Sequence, residues 1–187
     1  YSGLLRNSGD SLTQAQRDEY LSQLKIWTEK GEANFAETLS PTLAYEQSKI
    51  GYFYQLNGMA RRTIADFTNH DYIPAEIALK KGLDIFTEGG AREGDYHMYS
   101  LNVFLNFHYA AMLAEVYGEK RKVEIQDLLS LIVHPPQAIT GKYLAFNDFI
   151  KNEIGHDHDM HGHKKDIVRL GEIDPNFKQY IASKGWQ

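Results

Sequence analysis

The stretch Gly89–Val103 reads GGAREGDYHMYSLNV and sets an arginine, two tyrosines, a histidine and two acids between a glycine-rich loop and an apolar run. These side-chain types can do chemistry together. Arg92 is a permanent cation, and the imidazole of His97 and the phenols of Tyr96 and Tyr99 can donate or accept a proton. Glycines let a loop take backbone angles closed to other residues, including close approach to a ligand. Asp95 is a favourable N-cap, and the run after it is apolar at helical spacing. This predicts Tyr96, His97 and Tyr99 on the first turn of a helix, with Arg92 on the loop above. Tyr96 and Tyr99 are three residues apart and should share a face. A rigid element bearing polar aromatics beside a loop bearing a cation suits an anionic ligand. The plainer reading of the same residues is tyrosines whose hydroxyls reach the edge of a core, with a solvated arginine.

A second cluster lies further on. Residues 156–163 read HDHDMHGH and hold half of the eight histidines: His156, His158, His161 and His163. Imidazole and carboxylate together suit Zn or another divalent metal, so the two H-x-H pairs are candidate ligands. A polar, solvated loop over residues 155–173 that meets metal only adventitiously is the alternative.

The elements that must position these residues are helices. Thr13 and Gln16 fit a capping box, which predicts a helix over about 12–30 with Leu12, Tyr20, Leu21, Leu24 and Trp27 on one stripe, ended by Lys30-Gly31. Ser40-Pro41 predicts a long helix reaching about Phe67, with Gly51 and Gly58 on one face where a neighbour could approach closely. Thr68–Asp71 reads as a turn, and Pro74 opens a helix over about 74–87. Further helices are expected over about 96–117, 121–133 and 142–154, with His134-Pro135-Pro136 as a break and a short last helix over 176–184. No strand is expected. The pattern is all-α, helical hairpins in a single domain spanning residues 1–187.

Composition narrows the function. The chain has 187 residues, 42% hydrophobic and 24% charged, with net charge −5, so it offers no general basic surface to nucleic acid. Any anion must be met by local cations. There is no cysteine, so disulfides and thiolate metal sites are excluded. No apolar run approaches the roughly 20 residues that cross a bilayer, and no signal peptide is recognised. With 12 Tyr, 9 Phe and 2 Trp, the chain is rich in the side chains that line carbohydrate clefts as well as cores.

The segment Arg92-Glu93-Gly94-Asp95-Tyr96-His97-Met98-Tyr99-Ser100-Leu101 resembles the alginate lyase family of polysaccharide lyases. That family has an arginine, a variable stretch, then Tyr-His-x-Tyr-[small]-Leu running into an apolar helix. The order before it is also similar: SLTQAQRDEYLSQL, a long helix, a turn and a shorter helix, so the resemblance spans roughly residues 10–118. It implies helical hairpins forming an incomplete α/α toroid, either partial in itself or a piece of a longer one, and a periplasmic or extracellular setting. It also implies an acidic polysaccharide substrate, polymannuronate-like, cleaved with no cofactor required. The family's catalytic tyrosine, seven residues after the arginine, carries over to Tyr99 and Arg92. The family also has an Asn-His pair before a Gly/Ser-Tyr-Trp sequence on the long helix. Here the matching stretch is Ser48-Lys49-Ile50-Gly51-Tyr52-Phe53, which has neither residue. Asn69-His70 has the right letters but falls in the later turn. Lys49 or Gln47 would have to replace the pair, with Tyr52 and Tyr96 on the substrate.

The implied reaction is β-elimination. The carboxylate next to the reacting carbon is neutralised, the enediolate is stabilised, a base takes the proton and an acid protonates the leaving oxygen. Tyr99 would act as base and acid, its pKa lowered by Arg92 from near ~10. His97 would share the carboxylate or the proton. The other reading is a non-catalytic helical binding protein, for an acidic glycan or for metal through the histidine-rich loop.

Overall fold

A computed structural model describes residues 1–8, 11–38, 44–141, 147 and 163–185. Every regular element among them is helical. The described helices are α1 (Ser2–Ser8), α2 (Gln14–Thr38), α3 (Ala44–Asp66), α4 (Ile73–Glu88), α5 (Tyr96–Val116), α6 (Lys122–Val133), α7 (His163–Ile173) and α8 (Pro175–Ser183). Short 3₁₀ turns lie at Gly118–Arg121 and Gln137–Ile139. The all-α expectation therefore holds for the described residues. The helix expected over 142–154 falls almost wholly outside them.

The helices group into two compact units, residues 1–85 and 86–187, with the boundary inside α4. In the first, α2 begins at the expected capping box. The Thr13 hydroxyl accepts from the Gln16 amide at 3.3 Å, and Gln16 Oε1 accepts from the Thr13 amide at 2.9 Å. The helix does not stop at Lys30-Gly31 but continues to Thr38. Gly31 is kept within it by packing, because a Cβ there would stand 3.1 Å from the Phe53 ring. The predicted stripe is also corrected at one end. Leu24 and Thr28 are buried, whereas Trp27 is exposed with the Lys30 ammonium over its ring.

In α3, Gly58 permits the close approach foreseen for it. A Cβ at Gly58 would lie 2.4 Å from Leu79 Cγ and 3.3 Å from the Ala75 carbonyl oxygen, so α4 presses directly on the α3 backbone. The turn at Thr68–Asp71 is present, with His70 at φ 56°. Helix α1, unforeseen from the sequence, buries Leu5 and is tied to α3 by Ser2–Thr63 and Arg6–Asp66 contacts.

The second unit is organised by α5, buried over most of its length on every side. Asp95 caps it as expected, its carboxylate accepting from the Met98 amide at 2.9 Å. Ile125, Leu128, Leu129, Leu131 and Ile132 of α6 are buried, and that helix packs on α5. The Pro135-Pro136 break falls where predicted.

The polar loop expected over 155–173 is corrected over its second half. His163, Asp166, Ile167, Leu170 and Ile173 are buried at helical spacing, so this stretch is the amphipathic helix α7. Asp174 then caps α8, with Pro175 in its first turn and Phe177 and Ile181 buried.

Candidate functional site

The loop before α5 has the backbone its glycines allow. Gly90 and Gly94 have φ of +88° and +95°. At Gly94 a Cβ would lie 2.6 Å from the Cβ of Ala138, so the loop lies close against the Gln137–Ile139 turn. Arg92 on this loop is exposed, and its guanidinium stands 3.6 Å from Asp127 of α6. Both partners of that pair are well solvated, so it contributes little. Tyr96 and His97 are also exposed.

Tyr99 differs from its neighbours. Three residues beyond Tyr96, it turns into the α5–α6 packing with 3% of its surface exposed. Its hydroxyl donates to the Leu131 carbonyl at 3.4 Å, a long bond. Burial pushes its pKa well above the ordinary tyrosine value, and Tyr180 and Tyr96 push it the same way. The expectation that Arg92 lowers this value is not met: the phenol is held in its neutral form. Tyr180 shows the same effect, pushed by burial up to about 12, with its hydroxyl donating to Asn147.

These shifts have a consequence for alkaline stability. Each folded-state pKa lies above the ordinary value of 10.0, so the folded protein holds these protons more tightly than the unfolded chain. Their contribution is complete below pH 10 and is lost as pH rises through the shifted values. Unfolding free energy measured in urea should stay flat to about pH 9 and fall between about 10 and 12. Phenolate absorbance should show Tyr99 and Tyr180 ionising after the exposed tyrosines. A single step near 10 that includes both would contradict it.

The remaining candidates are distributed as follows. Gln47 (half-buried), Lys49 (exposed) and Tyr52 (45% exposed) lie on α3 in the first unit, whereas Arg92, Tyr96, His97 and Tyr99 belong to the second. His156, His158 and His161 lie outside the described residues. His163 is buried at the start of α7, its ring 5.3 Å from that of His108 and 5.8 Å from that of Phe107. Among the described residues, no three His, Cys, Asp or Glu side chains are grouped to hold a metal. No described helix is long and apolar enough to cross a membrane.

A cleft of about 620 Å³ opens in the first unit, within the usual range for small-ligand sites. Helix α2 contributes Glu32 and Phe35 to it, and α3 contributes Ile50, Phe53, Tyr54 and Arg61. From α4 come Pro74, Ile77, Ala78 and Lys81. The Phe35 and Phe53 rings stack at 4.2 Å, and Tyr54 meets Phe53 edge-on at 5.4 Å. The Lys81 ammonium lies 4.7 Å from the centroid of the Tyr54 ring. Arg61 is held twice, by Glu32 Oε1 at 2.6 Å and by Asn57 Oδ1 at 2.7 Å. The lining thus carries two cations against one anion, net +1, in a chain of net charge −5.

None of these lining residues was a site candidate from the sequence, although Ile50 and Phe53 lie in the stretch that stands for the missing Asn-His pair. The available signal was the α3 stripe Ile50, Phe53, Tyr54, Asn57, Arg61, at helical spacing and ending in a cation. Lys49 and Tyr52 sit off that stripe, and Gln47, one turn before Ile50, continues it without lining the cleft. Compared with known proteins, the chain matches no family model, no curated protein and no solved structure.

Proposed function

We propose that this chain is a helical binding protein for an acidic glycan, which it holds in the α2–α3–α4 cleft. The observation that carries the reading is the pairing, in one cleft, of an apolar aromatic wall with two cations, Arg61 and Lys81. A uronate ring has an apolar C–H face and, at its edge, a carboxylate. The first suits Phe35, Phe53 and Ile77. The second suits a guanidinium, whose forked N–H groups match a carboxylate, and an ammonium beside it. Because the chain as a whole is acidic, such local cations are what an anionic ligand requires. β-Elimination is not part of this reading: the phenol it needs as base, Tyr99, is buried and held neutral.

The test is titration calorimetry with a mannuronate trisaccharide beside mannotriose, which differs in having a hydroxymethyl group where the uronate has its carboxylate. Saturable heat with the uronate and at least tenfold weaker binding of the neutral sugar are expected. Equal binding of the two, or none of either, rejects the reading. Ultraviolet absorbance of an unsaturated uronate product, followed in the same samples, should stay flat; a rise abolished by Tyr99→Phe would establish the lyase instead.

A further inference from the structure

Resting on that reading, we infer that Glu32 is an internal competitor for the ligand's carboxylate and so sets which anions the cleft accepts. Arg61 reaches the cleft from α3 with its Nε fixed by Asn57 at 2.7 Å, leaving the Nη edge to face an acceptor. Glu32 of α2 supplies that acceptor, its carboxylate 2.6 Å from Nη2. A carboxylate on a guanidinium, at the edge of an aromatic wall, is the arrangement a bound uronate would make. The two carboxylates differ in attachment. Glu32 belongs to the protein and its side chain is 42% exposed, so it can swing into solvent and stay hydrated. Asn57 is 4% exposed and stays in place, holding Arg61 aimed as Glu32 leaves.

Binding at Arg61 is therefore an exchange of one carboxylate for another. The exchange favours ligands whose anion is planar and can take both guanidinium N–H groups. It disfavours neutral sugars, which would leave Glu32 where it is and find a carboxylate in their path. Lys81, whose ammonium lies over the Tyr54 ring, remains beside the entering anion. Glu32 thereby holds down the affinity for every carboxylate, so that a ligand gains at Arg61 only what its own anion offers beyond that of Glu32.

Removing the competitor should tighten binding of the uronate. The measurement is calorimetry of mannuronate trisaccharide and mannotriose on wild type, Glu32→Gln, Arg61→Gln and the double variant, with melting curves to confirm folding. Glu32→Gln keeps the shape and removes the charge. It should bind the uronate about 2- to 5-fold more tightly, the factor an exposed ion pair ordinarily carries. Mannotriose, which does not displace Glu32, should change little, so the preference for uronate should widen by a similar factor. Glu32→Ala should act in the same direction. In the Arg61→Gln background the Glu32→Gln change should give no gain, because the contested guanidinium is gone. Uronate binding by wild type that is unchanged or weakened in both Glu32 variants overturns this inference and leaves the binding reading standing. A gain that persists without Arg61 also overturns it. Absence of uronate binding in every protein overturns both.

Discussion

Arg61→Gln is expected to weaken mannuronate trisaccharide binding by about 10- to 100-fold, the value of a hydrogen-bonded contact to a charged group. Three features make the effect large. The guanidinium is pre-aimed by Asn57, so little ordering is left for the ligand to bring about. The apolar wall of Phe35 and Phe53 lowers the local dielectric and strengthens a charge contact beside it. Among the described residues no other guanidinium lines the cleft, and Lys81 cannot replace its forked geometry. Lys81→Gln should cost less, because an ammonium over a ring at an exposed position is a hydrated point charge. Calorimetry at two salt concentrations would separate the roles: the Lys81 contribution should fade with added salt more than that of Arg61. Arg61→Gln binding within twofold of wild type would remove Arg61 from the site.

The second large effect is on stability and has the opposite sign. Asn102 and Asn106 are one turn apart on α5 and wholly buried, and none of their four side-chain N and O atoms has a hydrogen-bond partner among the described residues. Their face of α5 also carries Tyr99 and Tyr109, whose hydroxyls reach the Leu131 carbonyl and Glu124 of α6. A buried polar group without a partner costs about 1–3 kcal/mol. Replacement by an apolar side chain of similar size removes that cost. Asn102→Leu and Asn106→Leu should each raise the unfolding free energy by about 1–2 kcal/mol, some 2–8 °C in melting temperature. The residues are neighbours, so the double variant need not give the sum. Urea denaturation of the single and double variants measures this. A loss of more than about 1 kcal/mol would show that the amides are hydrogen-bonded in the folded protein.

Much of the secondary structure was legible in the sequence because it is written in local chemistry. The Thr13–Gln16 box, Asp95 ahead of α5, Pro74, the Pro135-Pro136 break and the start of α8 all act within a few residues of themselves. Each element appears where its signal stands. Where local chemistry was weak, the sequence misled. Lys30-Gly31 looked like a stop, but Gly31 is retained in mid-helix by the Phe53 ring, a partner 22 positions away. The stretch 163–173 looked polar, and its buried stripe became meaningful only once α5 was there to receive it.

The candidate residues divide along the same line. The sequence by itself determined the all-α class and the cap and glycine loop before α5, because these depend on near neighbours. It also showed that any anion must be met by local cations. Only the tertiary structure decided the fate of Tyr99, because whether a residue on the first turn of a helix faces solvent or another helix depends on where α6 lies. Only the tertiary structure assembled Glu32, Phe53, Arg61 and Lys81 into one cleft. Those four come from three helices, and their meeting depends on the close approaches at Gly31 and Gly58. Such contacts between distant positions leave no mark on local spacing, which is why the cleft was invisible until the helices were packed.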